Sequence, residues 1–418
     1  MEEKYKAHRL TYELLKDMQE PPEMKAIMDW VGRILSAVDE GKPIVWNQFT
    51  FWCEVMIAMD LQPLAPEVWP AAGAPGMMGM PEILEAVMAG GNPILDPAEE
   101  AGIPPQLCTA GRAIIGGVLT GTIPPPSMIV MPSYPCDNTR TIYQVAAQLT
   151  GAPLYVLDCP YWMDEPEAME YWVNQYKGLI FFLEEHSGKK LDYDRLKEVA
   201  EESNRFVEYW LEGTELLKMK PLPQNGPFLA TEVLLNLGLP IATEAVKARL
   251  DALKARIARG EKAVPEEKVR VVWNYLPVIW DIALFDWMAG EFGAVTPVAM
   301  GSWEHHEPVD TSTPESIIRG MARRALGVHM GRHGRGASDL WIEDTLNAFE
   351  QWQCDCIIVN GALGCKWVRG SYGLLRDICR ERGIPVMMFD ADIADHRVVS
   401  QEEVHARIGK FLETVMTR

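Results

Sequence analysis

Residues 356–370 read CIIVNGALGCKWVRG: an apolar run from Cys356 to Val359, a glycine-rich turn, then Cys365. The same plan occurs upstream in MIVMPSYPCDNTRTIYQ, residues 128–144, where an apolar run meets a turn of Pro, Ser, Tyr and Pro and then Cys136. Short β-rich apolar runs closed by Gly and Pro read as buried strands. Each cysteine therefore stands at a strand tip.

Working outward, the runs KPIVW (42–46), SMIVMP (127–132) and PLYVLD (153–158) alternate with helix-like stretches such as TRTIYQVAAQL. A second set follows in VRVVWNYLP (269–277), AVTPVAM (294–300), CDCIIVNG (354–361) and IPVMMFDAD (384–392). Strands alternating with helices predict parallel α/β sheets. Between the two sets, about 165 to 265 is almost entirely long amphipathic helix without interior proline, and residues 1–40 carry apolar positions at helical spacing. The fold class expected is α/β: two parallel-sheet domains facing each other across a crevice. The segments are a helical lead-in (1–40), a first α/β domain (41–165), a helical insert (166–268) and a second α/β domain (269–418).

At 418 residues the chain is long enough for two or three domains. Apolar content of 48% and charge of 23% exclude disorder, and no apolar run approaches the length of a membrane span. A net charge of −20 argues against nucleic-acid and anionic-membrane partners, which would repel such a surface. The charged N-terminus lacks the apolar core of a signal peptide, so a cytoplasmic location is expected. Eight cysteines scattered through such a chain point to thiolate or metal chemistry rather than disulfides.

In open parallel sheets functional groups collect beyond the carboxyl ends of the strands. Cys136 and Cys365 lie there, one from each set, and Cys108, in PPQLCTAGRAIIGG, starts an apparent helix whose amides favour a thiolate. Three thiolates from separated positions suit an iron–sulfur cluster, with its fourth iron left open. The alternative is three small buried residues, since no CxxC pair exists. Cys159, the Cys354/Cys356 pair, Cys53 and Cys379 fall in or beside predicted strands and helices and read as core thiols.

The stretches LCTAGRA, MPSYPCDNTRTIYQ, LYVLDCPYW and most of 331–415 resemble the family of 2-hydroxyacyl-CoA dehydratases and benzoyl-CoA reductases. The resemblance implies a [4Fe-4S] cluster on Cys108, Cys136 and Cys365, or, in the double-cubane branch, an [8Fe-9S] cluster. It also implies a separate ATP-hydrolysing iron–sulfur activator that delivers one electron to an acyl-CoA, making a ketyl radical anion. The expected partners are that activator and a homologous second subunit or a second copy of the chain. A homodimeric double-cubane reductase of small molecules and a non-catalytic cluster scaffold are the alternatives. No GxxxxGK[ST] loop is present, so the ATP step is expected on the partner.

By the same resemblance Glu67, in LQPLAPEVWPAAG, matches a Pro-Glu that follows the second strand of the first domain near the cluster and is a candidate proton-handling group; a solvated loop carboxylate is the alternative. Asn47 stands where the family's dehydratases often carry serine after tryptophan, a departure on the substrate side. His305 and His306 follow a predicted strand and are candidate acid–base groups or ligands facing the crevice, with His305 the catalytic candidate; adjacent residues point in different directions, so at most one serves. Among Arg319, Arg323, Arg324, Arg332 and Arg335, the last two are flanked by glycines and are the candidates for coenzyme A phosphates or another anion.

Overall fold

The structure, a computed structural model, describes residues 5–17, 22–69, 92–163, 165, 167–228, 236–281, 283–299, 306–336, 338–395 and 397–417. Helices α1 (Lys6–Leu15) and α2 (Pro22–Glu40) lead into strand β1 (Ile44–Asn47), the short helix α3 (Glu54–Ala58) and β2 (Gln62–Leu64). Then come α4 (Leu95–Glu100), α5 (Thr109–Thr120), β3 (Met128–Pro132), α6 (Asp137–Thr150) and β4 (Leu154–Leu157). All four strands run parallel, in the order β2-β1-β3-β4.

Three long helices follow: α7 (Ala168–Ser187), α8 (Tyr193–Leu216) and α9 (Pro240–Ala258). The start of α8 is fixed by Asp192, whose carboxylate accepts from the amides of Asp194 and Arg195 at 2.9 and 3.2 Å.

The second set comprises β5 (Val269–Asn274), α10 (Leu284–Phe292), β6 (Ala294–Ala299), α11 (Pro314–Ala325), α12 (His329–Gly334) and α13 (Asp339–Gln351). It ends with β7 (Cys356–Asn360), α14 (Lys366–Glu381), β8 (Val386–Phe389) and α15 (Gln401–Met416). Its sheet is again parallel, in the order β6-β5-β7-β8. The two sheets therefore repeat one topology, although their sequences do not.

Alternation along each strand explains the layering. In the first sheet Val45, Met128, Val130 and Leu157 pack with the long helices and α11, while Ile44, Trp46, Ile129 and Met131 pack against α2, α5 and α6. In the second, Val272, Ile357 and Val359 meet α13 and α14, and Val271, Trp273 and Ile358 meet α10 and α15. Both sheets are covered on both faces, as runs apolar at every position require. On α14 the buried residues Val368, Ser371, Leu375 and Cys379 form one stripe at helical spacing.

Buried charge joins the two sets. Arg112, on α5 and 1% exposed, reaches Glu99 at 2.5 Å and Asp395, beyond β8, at 3.5 Å. Arg397 bridges Asp395 at 2.8 Å and Asp96 at 2.6 Å. The helix that Cys108 precedes is thus tied to the far side of the crevice.

Three sequence expectations shift. Strand β2 was anticipated only through the family resemblance, as the strand before Glu67, because three residues including Pro63 carry no strand pattern of their own. Strand β5 stops at Asn274, leaving Tyr275 beyond it, and β7 starts at Cys356, leaving Cys354 in the preceding loop. No helix among the described residues is long and apolar enough to cross a membrane.

Candidate functional site

The tips of both sheets open onto one cavity of about 350 Å³. Its wall includes Cys108, Cys136 and Cys365, together with Glu67 from the loop after β2, Tyr275 from the end of β5 and Ile393 from the loop after β8. Each cysteine is the residue immediately before a helix: Cys108 before α5, Cys136 before α6 and Cys365 before α14. Ser, Thr, Asp and Asn dominate that position because their oxygens cap the helix. Three cysteines there place three sulfurs at three positive helix ends.

The loops approach closely. A Cβ on Gly364 would lie 2.5 Å from the Cys108 nitrogen and 2.6 Å from its Cα, so only glycine lets the Cys365 turn lie against the Cys108 backbone. Gly334, at the end of α12, plays the same part against Pro135, whose carbonyl oxygen a Cβ would meet at 2.4 Å.

Burial pushes the Cys108 thiol up to about 12, with the neighbouring Cys365 and Cys136 adding to it. The Cys365 thiol rises to about 11 through burial, opposed by a hydrogen bond with the Tyr275 phenol and by the amides of Trp367 and Val368. The three thiols thus feel one another inside the same cavity. Cys108 and Cys365 are thus stable as thiols, and a bound cation would replace their protons.

Glu67 shares this space. Tyr143 donates to its Oε1 at 2.7 Å, while Oε2 is shielded from solvent and has no hydrogen-bond partner among the described residues. Burial raises its carboxyl from 4.5 to about 7, with the Tyr143 bond pulling the other way. A carboxyl in this state can carry or release a proton near neutrality.

Other candidates lie elsewhere. Asn47, 1% exposed, ends β1 and donates to the Phe51 carbonyl at 3.0 Å; it is not part of the cavity wall. His306, 8% exposed, packs between Trp52 at 4.7 Å and Trp210 at 5.7 Å, also off that wall. His305 lies outside the described residues. Arg332 forms a bidentate pair with Asp344 at 2.7 and 3.2 Å, and the Arg335 guanidinium donates to the Leu326 carbonyl at 3.3 Å. Arg324 is buried, 3.1 Å from Glu54, rather than part of an exposed basic face.

Sequence reading did not single out Tyr143, Tyr275, Asn138 or Trp367, all on the cavity wall. Nothing in their local pattern marks them. Tyr143 lies one turn and a half into a helix whose first residue follows Cys136, and that spacing was the only available signal.

The donor chemistry suits an iron–sulfur cluster: three soft thiols on one wall, from both halves of the chain. Among the described residues no three His, Cys, Asp or Glu side chains stand close enough to hold one metal ion. A cubane makes no such demand, since each thiolate binds a different iron and the sulfurs stand apart across the cluster.

Residues 49–415 match the sequence profile of the family described as 2-hydroxyglutaryl-CoA dehydratase, D-component. The chain belongs to this family. It is an enzyme of the 2-hydroxyacyl-CoA dehydratase and benzoyl-CoA reductase type. It is 23% identical over 401 residues to the (R)-phenyllactyl-CoA dehydratase alpha subunit of Clostridium sporogenes, covering 92% of each chain. It is 24% identical over 402 residues to the lactoyl-CoA dehydratase subunit alpha of Anaerotignum propionicum, covering 89% of this chain and 90% of that one. A benzoyl-CoA reductase subunit of Thauera aromatica is 23% identical over 354 residues, covering 78% of this chain and 80% of its own.

Proposed function

We propose that the chain is the cluster-bearing catalytic component of an ATP-dependent, activator-driven radical dehydratase or reductase acting on an acyl-CoA. The observation that carries this reading is the cavity at the strand tips, where Cys108, Cys136 and Cys365 share one wall with Glu67. Those three cysteines would hold a [4Fe-4S] cluster. When bound, it supplies one electron at low potential and, at its fourth iron, an open coordination position.

The chain's own residues then have separate tasks. The helix ends at α5, α6 and α14 favour thiolate charge on the three sulfurs. Glu67 moves a proton at Oε2, the oxygen that its Tyr143 bond leaves free. Phe49, Ile114, Ile142 and Met330 give the wall an apolar character that strengthens electrostatic effects inside it. Arg335, beside the loop that carries Cys136, is the contact proposed for the anionic end of the substrate; Arg332 is committed to Asp344. Relatives named as alpha subunits of dehydratases, and one named as a subunit of a reductase, support a second, homologous subunit as partner.

Turnover of 2-hydroxyacyl and aromatic thioesters, measured anaerobically with each component omitted in turn, tests the proposal. Activity should require an ATP-hydrolysing iron–sulfur reductase, ATP and a strong reductant together. Hydrolysis of ATP by this chain alone, at a rate matching turnover, would overturn the division of labour.

A further inference from the structure

The turn that carries Glu67 is gripped from outside the cavity. It leads from the end of β2 at Leu64 to Trp69, with the Val68 amide donating to the Ala65 carbonyl at 3.2 Å, so Glu67 stands two residues from Trp69. Trp69 is fully buried, and its indole donates to the Thr122 carbonyl, just past α5, at 2.9 Å. The N-terminal helices supply further contacts. His8 of α1 donates from Nε2 to the Trp69 carbonyl at 2.8 Å. Its imidazole also lies flat on the indole, with centroids 4.0 Å apart and planes 6° from parallel. Tyr5, just before α1, and Trp30 of α2 meet the same indole edge to face, at 6.4 and 5.6 Å.

Helix α1 is itself fixed to α2. Arg9 forms a bidentate pair with Asp39 at 3.0 and 2.6 Å. A Cβ on Gly32 would meet the Tyr12 ring at 2.6 Å, so Tyr12 rests directly on the α2 backbone. The ion pair is exposed and contributes little; the buried bond and ring contacts around Trp69 contribute more. Burial pushes the His8 imidazole down to about 4, so it stays neutral over the range in which Glu67 titrates, and no charge disturbs the stack there.

We infer that His8 is a positioning residue for Glu67: by holding the carbonyl and ring of Trp69, it fixes the turn that keeps the Glu67 carboxyl in the cavity wall and out of water. The inference rests on the reading of Glu67 as the proton-moving group above. A turn of five residues pinned at both ends has little room to open. Released at Trp69, it would let the ionised carboxyl reach solvent and would lower the proton affinity that burial gives it. The other titratable groups on the cavity wall, Tyr143, Tyr275, Asp137, Lys366 and the three thiols, belong to other loops and helices than this turn.

The experiment uses metal-free full-length protein as wild type, His8→Phe and His8→Gln. Phe keeps a ring for the stack and removes the donor; Gln keeps a donor and removes the ring. Amide hydrogen exchange of 61–69 is followed in each, and the Glu67 carboxyl is titrated by its infrared band, identified by difference against Glu67→Gln made in the same background. Exchange should be about tenfold faster in His8→Phe, as for loss of one hydrogen bond, with part of the protection kept in His8→Gln. The Glu67 titration should move down from its wild-type position in His8→Phe, a shift that a general loss of stability would not produce. Wild-type exchange across 61–69, or an unmoved titration, would overturn the inference. Should His8→Phe fail to fold, wild type in sub-denaturing urea decides: α1 and 61–69 losing protection together supports the grip, and 61–69 staying protected after α1 is lost refutes it. Neither readout needs cluster or substrate, so either refutation falls on His8 alone, whereas unchanged turnover in iron-loaded Glu67→Gln would fail the parent reading instead.

Discussion

Glu67→Gln should make the protein more stable at alkaline pH while removing most of its turnover. Burial holds the Glu67 carboxyl at about 7 instead of 4.5. A carboxyl that binds its proton more tightly when folded contributes full stability below its unfolded value. That contribution is lost as pH rises from 4.5 towards 7. At about 1.4 kcal/mol per tenfold change in the proton equilibrium, the penalty at pH 8 is about 3 kcal/mol. Because the residue is partly exposed, the measured figure should fall nearer 2 kcal/mol. Glutamine keeps an oxygen for the Tyr143 hydroxyl and never ionises, so it escapes the penalty.

The assay is anaerobic denaturant unfolding of both proteins at pH 5 and pH 8. At pH 5 the variant should exceed wild type by less than about 1 kcal/mol, and at pH 8 by about 2 to 3 kcal/mol. Single-turnover rates on the same samples should fall roughly a hundredfold, as for loss of a positioned proton-transfer group. An identical pH slope in the two proteins would refute the buried ionisation. Unchanged turnover with iron retained would make Glu67 a loop carboxylate without a catalytic part.

Two further outcomes follow from the same geometry. Tyr143→Phe removes the donor that favours the Glu67 carboxylate, so the carboxyl should rise further; the alkaline limb of the pH–rate profile should move up, and a limb that stays or moves down would contradict the pairing. Gly364→Ala forces a methyl group against the Cys108 backbone; iron content should fall, with about 1 to 3 kcal/mol of stability lost, as for overpacking elsewhere, whereas wild-type iron would mean the two loops need not touch.

Seven of the eight described strands could be read from sequence because each is a short, largely apolar β-rich run between helix-like or turn-rich stretches. β2 was not legible from its own residues: it is three residues long and gains its status from pairing with β1, a tertiary fact. Cys136 and Cys365 were legible because a cysteine one residue past a strand-and-turn unit is positional information, and Cys108 because it stands between a Pro-Pro turn and a helix. Glu67 was reached through the family resemblance, since a glutamate in a Pro-rich loop has no periodicity to interpret. Tyr275 was hidden inside an apparently continuous strand, and only the left-handed turn after Asn274 shows that the strand has ended. His306, a candidate for the crevice, and Arg324, one of a run of arginines, are instead buried among Trp52, Trp210 and Glu54, because α3, α8 and α11 close over them.

The central claim is that Cys108, Cys136 and Cys365 hold one cluster between the two sheets. Iron and sulfide analysis of anaerobically purified wild type, Cys136→Ala, Cys365→Ala and Cys379→Ala tests it most directly. Cys379 serves as the control because it packs within α14 against the second sheet. The account predicts about four irons per chain in wild type and in Cys379→Ala, with most of the iron gone from Cys136→Ala and Cys365→Ala. Equal iron in all four proteins, or none in wild type, would contradict it.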